Sequence, residues 1–462
     1  MKKVLNRSLL TWFLAIAFFA GLGYFVVRLV TNAEEWAQLP MNAHLSASGL
    51  AQAGAIYDRN GIVLAQSVDG ERVYNENANI RAAVLHTVGD DSTSISTAVQ
   101  SLYRNDLVGY NFLLGLGLPE SFRSTSDITL TIDANACAAA YEVMAANNYK
   151  GAVVVYNYKT GEIICKVSTP TYDPYSPPEI KEGDDTYEGV YLDKVVSSAF
   201  PPGSTFKLVT AAAAIETIPD SPQRYLFCEG SSIIGGEYVT CVQPHNEIDM
   251  NQAMAESCNI YFAELAVELG SKTMTDYANA FGFNKSFSMG NIDIKKSSYD
   301  VSKADTAGLA WSGVGQYTDL ANPMHMAMIC SAIANGGSAA DPYLIKDVSS
   351  FFHIGDLTAG GSGDSKKMMK SSTANKLADM MRYTVSDHYG DSMFGELHVA
   401  AKTGTAEVGD GTEDGWIVGF VTDNDCPLAF AVCIENGGFG ISSAAPVAKA
   451  ALEASAVAVR GY

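Results

Sequence analysis

Ser204 and Lys207 stand three residues apart in Pro201-Pro202-Gly203-Ser204-Thr205-Phe206-Lys207, a spacing suited to nucleophilic catalysis. Two prolines and a glycine stop any incoming helix, so Ser204 falls at the start of the next one. There its backbone N–H has no intrahelical partner, and the helix dipole favours negative charge. A residue three positions on lies on the same face, so Lys207 can reach the Ser204 hydroxyl and take its proton. That role needs a lysine pKa lowered by burial or by a second cation. The motif is short enough to describe a capping serine beside a solvated lysine, but Ser-x-x-Lys occurs only once in this chain.

Two further groups carry chemistry. Ser257-Cys258-Asn259 can present a hydroxyl and an amide together from a turn, and Ser-x-Asn also occurs once; read alone it is an ordinary helix-capping turn. Lys402-Thr403-Gly404-Thr405 lies in an alternating strand, followed by Trp416-Ile417-Val418-Gly419-Phe420. A lysine on a strand is a fixed cation, and glycine there permits close backbone approach. Lys159-Thr160-Gly161 spells the same tripeptide, but at a hairpin turn that by itself explains the glycine. The copy at Lys402 is therefore the functional candidate.

The elements that must hold these groups follow from periodicity. In 54–61 the Asn60-Gly61 pair reads as a tight turn between short strands. Residues 129–133 alternate as a strand and lead into an Ala-rich helix over 134–145. Two strands, 151–156 and 162–167, are joined by the turn at Lys159, and a Pro-rich acidic loop spans 169–193. Helices are expected over 204–215, 252–269 and 323–335, and a polar loop over 355–372. Strands return at 400–405, 416–421 and 428–435, before a last helix over 445–459. Early and late strands enclosing helices imply one antiparallel sheet in an α+β domain.

An apolar run over 9–27, broken only by Thr11, is long enough to span a bilayer. Lys2, Lys3 and Arg7 precede it and Glu34 and Glu35 follow, which orients the N-terminus inward. No small-x-small cleavage site follows, so an uncleaved anchor is expected rather than a signal peptide. The chain then divides into a tail 1–8, an anchor 9–30, a turn-rich segment 31–147 and a main domain 148–462. The net charge of −21 speaks against nucleic acid. Eight cysteines without a CxxC pair and seven histidines without HExxH spacing argue against a metal site. Cys228 and Cys241 flank a Gly-rich stretch and could form a disulfide or remain buried thiols.

Ser-x-x-Lys, Ser-x-Asn and Lys-Thr-Gly in this order resemble the penicillin-recognising serine acyltransferases, the penicillin-binding proteins and serine β-lactamases. Pro201 to Lys207, Gly313-Val314-Gly315-Gln316 and Ala334-Asn335-Gly336-Gly337 look like a penicillin-binding protein. Ile56-Tyr57-Asp58-Arg59-Asn60-Gly61 is similar to the first pedestal motif of the monofunctional class B members. The resemblance implies a transpeptidase domain, an antiparallel sheet with helices on both sides, above a short N-terminal pedestal.

It also implies a D,D-transpeptidase. Ser204 would attack the bond between the two terminal D-alanines of a peptidoglycan stem peptide, with Lys207 taking its proton. Lys402 would lower the pKa of Lys207 and, with Ser257, pass a proton to the leaving D-alanine. Backbone N–H groups of Ser204 and Thr405 would form the oxyanion hole, Thr403 and Thr405 would hold the substrate carboxylate beside Gly404, and Asn259 the peptide amide. β-Lactams would stop at the acyl stage, and no cofactor or metal is required. Cys258 departs from the Asp or Ser that many members carry at that position.

A β-lactamase, a D,D-carboxypeptidase and a β-lactam sensor are the alternatives. About eight residues precede the anchor, too few for a sensor's effector or a glycosyltransferase. Glycan polymerisation is therefore expected from a partner, and the family resemblance suggests a polytopic polymerase of the shape, elongation, division and sporulation family. Between Ser257 and Lys402 only Glu264, Glu268 and Glu396 occur, none in the Glu-x-x-Leu-Asn context of class A β-lactamases.

Overall fold

The computed structural model describes residues 2–37, 50–92, 94–109, 125–181, 185–349, 359–409 and 411–461. Parts of the expected segments 31–147, 169–193 and 355–372 lie outside the described residues.

Five strands form the sheet that carries the site: β1 (Lys150–Asn157), β2 (Ile163–Thr169), β3 (Val399–Glu407), β4 (Glu413–Val421) and β5 (Leu428–Glu435). The order is β3-β4-β5-β1-β2, with every neighbouring pair antiparallel. Late strands thus add to the edge of an early hairpin. Nearly every residue of β1, β4 and β5 is buried, so both faces of the sheet must be covered. The helices Pro323–Ala334 and Gly440–Arg460 pack on it, and the Ala-rich Ala134–Ala146 packs on Gly440–Arg460. Small residues let these two helices approach closely.

A second five-stranded sheet joins Ile56–Tyr57, Val63–Val68, Glu71–Tyr74, Asp127–Leu130 and the distant Ile345–Ser349. Its hairpin is organised by Asp58, which is fully buried. One carboxylate oxygen of Asp58 accepts from the backbone N–H groups of Asn60 and Ile62 at 2.8 Å, and the other from Ala134 at 3.1 Å. Gly61 turns at φ +85°, where a side chain would be strained. Asp133 caps the Ala134–Ala146 helix through the Ala136 N–H, a contribution of about 1 kcal/mol. The motif from Ile56 to Gly61 therefore ties a hairpin to a helix start.

Three expectations need correction. The helix expected over 252–269 is two helices, Met250–Ala255 and Asn259–Ala280, separated at Ser257, whose φ is +55°. The helix expected from Ser204 begins with a 3-10 turn, Gly203–Phe206, before Lys207–Thr217. Within the expected loop 355–372, the strand Ser365–Lys367 pairs with Ser338–Ala340, and a helix starts at Ser371.

The N-terminal helix runs Lys2–Ala37, longer than its apolar run. Its window Thr11–Arg28 has mean hydropathy 1.6, and none of it is buried among the described residues. Trp12, Phe13, Ile16, Phe18, Phe19 and Phe25 are exposed, a cost in water that a bilayer removes.

Candidate active site

Four separate segments deliver the three motifs to one cleft. The 3-10 turn brings Ser204, the first helical residue after it is Lys207, the break between helices brings Ser257 and Asn259, and β3 brings Lys402. Lys207 Nζ lies 3.0 Å from Ser204 Oγ, 3.1 Å from Ser257 Oγ and 2.7 Å from Asn259 Oδ1. It also donates to the Ser257 carbonyl at 2.7 Å. Lys402 Nζ donates to Ser257 Oγ at 3.0 Å and to the Thr403 carbonyl at 3.0 Å. Ser257 Oγ thus sits between two lysine nitrogens, on a backbone in the left-handed region.

Both lysine residues are completely buried. Burial pushes Lys207 down from 10.5 to about 7, with Cys258 and Cys241 pulling weakly the other way. Burial, and then the charge of Lys207, pushes Lys402 well below its ordinary value. The depression of Lys207 is therefore first a desolvation effect, and the lysine–lysine repulsion falls on Lys402. A lysine poised near neutrality beside a serine hydroxyl can accept its proton.

Close approach of the Ser204 turn to β3 depends on two glycines. A Cβ at Gly404 would stand 2.9 Å from the Pro202 carbonyl and 3.0 Å from the Thr205 methyl. Gly203 takes φ +51° with the Thr405 carbonyl 2.5 Å from where its Cβ would be. Trp416 Nε1, on the neighbouring strand, donates to the Pro201 carbonyl at 2.9 Å and fixes the turn from behind.

The cleft has a volume of roughly 350 Å³ and is lined by Ser204, Ser257, Asn259, Thr403 and Thr405, with Trp311 and Phe439 at its walls. Lys159 is elsewhere: it donates to Asn335 Oδ1 at 2.9 Å from the β1–β2 turn. There Gly161 has φ +87° and abuts the Asp341 carbonyl.

Three features in and beside the cleft were not legible in the sequence. Tyr389 Oη lies 2.7 Å from Thr403 Oγ1 and accepts from the Thr403 N–H at 3.1 Å. Glu256, Glu407 and Glu413 line the cleft, whereas Glu268 pairs with Arg224 and Glu264 lines a different pocket beside it. Finally, Cys228, Cys241, His245 and Cys258 converge within 4.8 Å although no local spacing signals them. The spacing argument against a metal site considered only ligands near one another in sequence; the fold brings these four together from separate turns and strands. All eight cysteines are free thiols.

The family model for the penicillin-binding protein transpeptidase domain matches residues 151–453. The chain belongs to the penicillin-binding protein transpeptidase family. This transpeptidase is 26% identical to peptidoglycan D,D-transpeptidase PbpA of Mycolicibacterium smegmatis, over 86% of this chain and 87% of the relative. It is 30% identical to penicillin-binding protein 3 of Bacillus subtilis, over 67% of this chain and 48% of that one. Among solved structures it is similar to penicillin-binding protein A from M. tuberculosis in its ceftriaxone acyl-enzyme complex. That match has a TM-score of 0.76 at 25% identity, covering 89% of this chain and 99% of the other.

Proposed function

We propose that this chain is a class B peptidoglycan D,D-transpeptidase, cross-linking stem peptides through an acyl-enzyme on Ser204 and acylated there by β-lactams. The observation that carries the reading is the unbroken relay Ser204 Oγ–Lys207 Nζ–Ser257 Oγ–Lys402 Nζ, with steps of 3.0, 3.1 and 3.0 Å. In it, neutral Lys207 takes the proton of Ser204 as Oγ attacks the carbonyl of the penultimate D-alanine. Backbone N–H groups of Ser204 and Thr405 hold the oxyanion. The C–N bond then breaks, and the amine of the departing D-alanine receives a proton through Ser257, with Lys207 and Lys402 on either side of it. An acceptor amine next attacks the ester, loses its proton to the same relay and regenerates Ser204. Thr403, Gly404 and Thr405 bind the substrate carboxylate along β3, and Asn259 the donor's amide. No cofactor enters these steps.

The anchor reading extends the proposal. Basic residues before the Lys2–Ala37 helix's apolar window and Glu34 and Glu35 after it support an inward N-terminus with the catalytic domain outside the membrane. We take 31–147 as the pedestal and 148–462 as the transpeptidase domain, working beside a polytopic glycan polymerase. Three carboxylates on the cleft wall, Glu256, Glu407 and Glu413, favour hydrolysis by a β-lactamase as the second reading, since one of them could activate water.

The test mixes the detergent-purified chain with a donor peptide ending in D-Ala-D-Ala and a labelled D-amino acid acceptor. Incorporation of label with release of one D-alanine per bond formed is expected, and none from Ser204→Ala. Equal incorporation by both proteins would overturn the assignment.

A further inference from the structure

Residues 226–248 form an appendage of two small two-stranded sheets, Leu226–Cys228 with Asn246–Ile248 and Ser231–Ile234 with Glu237–Thr240. Its own core is small: Cys228, Ile234, Val239 and Ile248 are buried against the domain. Phe227, Ile233, Tyr238 and Val242 face outward, between 62% and 89% exposed, so few apolar side chains hold so many strands. Yet it must be fixed, because Asn259 Nδ2 donates to its Thr240 carbonyl at 2.8 Å and Thr240 to Val242 line the catalytic cleft.

What meets at its base is Cys228, Cys241, His245 and Cys258. Cys228 Sγ is 3.9 Å from Cys241 Sγ and 3.3 Å from His245 Nδ1, and Cys241 Sγ is 3.8 Å from Cys258 Sγ. A tetrahedral zinc ion with Zn–S of about 2.3 Å and Zn–N of about 2.0 Å requires S···S near 3.8 Å and S···N near 3.5 Å. These three separations match that geometry to within about 0.2 Å, and all four ligand atoms lie within 4.8 Å of one another. The backbone itself is pinned: Cys241 N–H donates to Gly230 O at 2.9 Å, His245 N–H to Cys228 O at 3.1 Å and Cys258 N–H to Ala253 O at 2.9 Å. Four protein ligands leave no open position, the mark of a structural rather than a catalytic site.

We propose that Cys228, Cys241, His245 and Cys258 bind one Zn²⁺ in a closed tetrahedral site that clamps the 226–248 appendage to the Ser257–Asn259 turn. Binding exchanges three thiol protons for the metal, leaving three thiolates and a neutral imidazole around the ion with no change in oxidation state. Cys258 stands between Ser257 and Asn259, so the metal holds the turn that aims both at Lys207. This gives a reason for cysteine at that position.

The full-length chain, purified in detergent under reducing conditions without chelator, is expected to carry about one zinc ion per chain by plasma mass spectrometry. Cys228→Ser combined with His245→Ala should retain less than roughly a tenth of that. Loss of ligands can unfold the appendage, so wild-type protein loaded with Co²⁺ supplies a second readout. It should display the ligand-field and thiolate charge-transfer bands of a tetrahedral thiolate site. Stripping the metal from wild type should slow penicillin acylation by roughly tenfold or more. That last effect rests on the acyl-enzyme reading, whereas the metal count does not, so the two fail separately. Metal-free wild type without a cobalt spectrum, metal content unchanged in the double variant, or an intact mass short by two hydrogens from a disulfide would each overturn the site.

Discussion

At the scale of single residues, the proposed chemistry depends on two buried lysines with one serine hydroxyl between them. Lys402 donates to Ser257 and is out of solvent, while Lys159, in the identical tripeptide, sits at an exposed turn. Lys402→Ala should therefore slow penicillin acylation by roughly two orders of magnitude, the scale for losing a positioned group. Lys159→Ala should acylate at the wild-type rate; stopped-flow or quenched mass spectrometry separates them. The pH profile follows from Lys207. Its pKa is lowered to about 7, and the base is the neutral form. Acylation should therefore be flat above that value and fall about tenfold per pH unit below it. A rate still climbing with pH toward 10 would mean that Lys207 is not desolvated.

Residue types also decide what was legible. Ser204, Lys207, Ser257, Asn259 and Lys402 each have a chemistry that a chain position exposes, and the structure brings all five together. Tyr389 and Glu256 carry no local signal. Tyr389 matters only because the segment Thr384–Tyr389 passes beside β3, and Glu256 only because the helix ends there. The cysteines escaped for the same reason, since the reading sought ligands close in sequence.

Among elements, β-branched runs read correctly as strands because their side chains are buried on both faces. Helix periodicity misled at Ser257. The apolar pattern runs through the break, and the new helix is capped by Cys258 Sγ accepting from Tyr261 N–H, an unusual cap with no Gly or Pro to announce it. The approach of β3 to the Ser204 turn is what the proposed mechanism requires of the elements. Gly404→Val would place a branched side chain 2.9 Å from the Pro202 carbonyl. The strand must then withdraw from the nucleophile, so acylation should drop at least about tenfold while melting shifts by only a few degrees. Unchanged acylation would show that the glycine serves only the strand.

For the whole molecule, the relevant facts are the exposed apolar helix and a sheet closed by distant segments. Ile345–Ser349 pairs with Asp127–Leu130, so the N-terminal sheet is completed by a strand from beyond the catalytic helices. No local pattern predicts such pairing, because 345–349 reads as a short, half-polar run. The Thr11–Arg28 window is exposed along its length and contributes nothing to the core. Deleting residues 1–37 should accordingly move the protein to the soluble fraction with penicillin labelling intact. Retention on membranes at high salt would point to a second membrane-binding surface.

An acyl-enzyme on Ser204 that awaits an amine rather than water should show itself in the lifetime of the penicillin adduct. Intact-mass spectrometry of the full chain, followed after free drug is removed, should find one penicilloyl group on Ser204 that persists for many minutes. Ser204→Ala should carry none. Loss of the adduct within seconds accompanied by steady drug turnover would make this a β-lactamase, and labelling of Ser204→Ala would remove the nucleophile on which the mechanism stands.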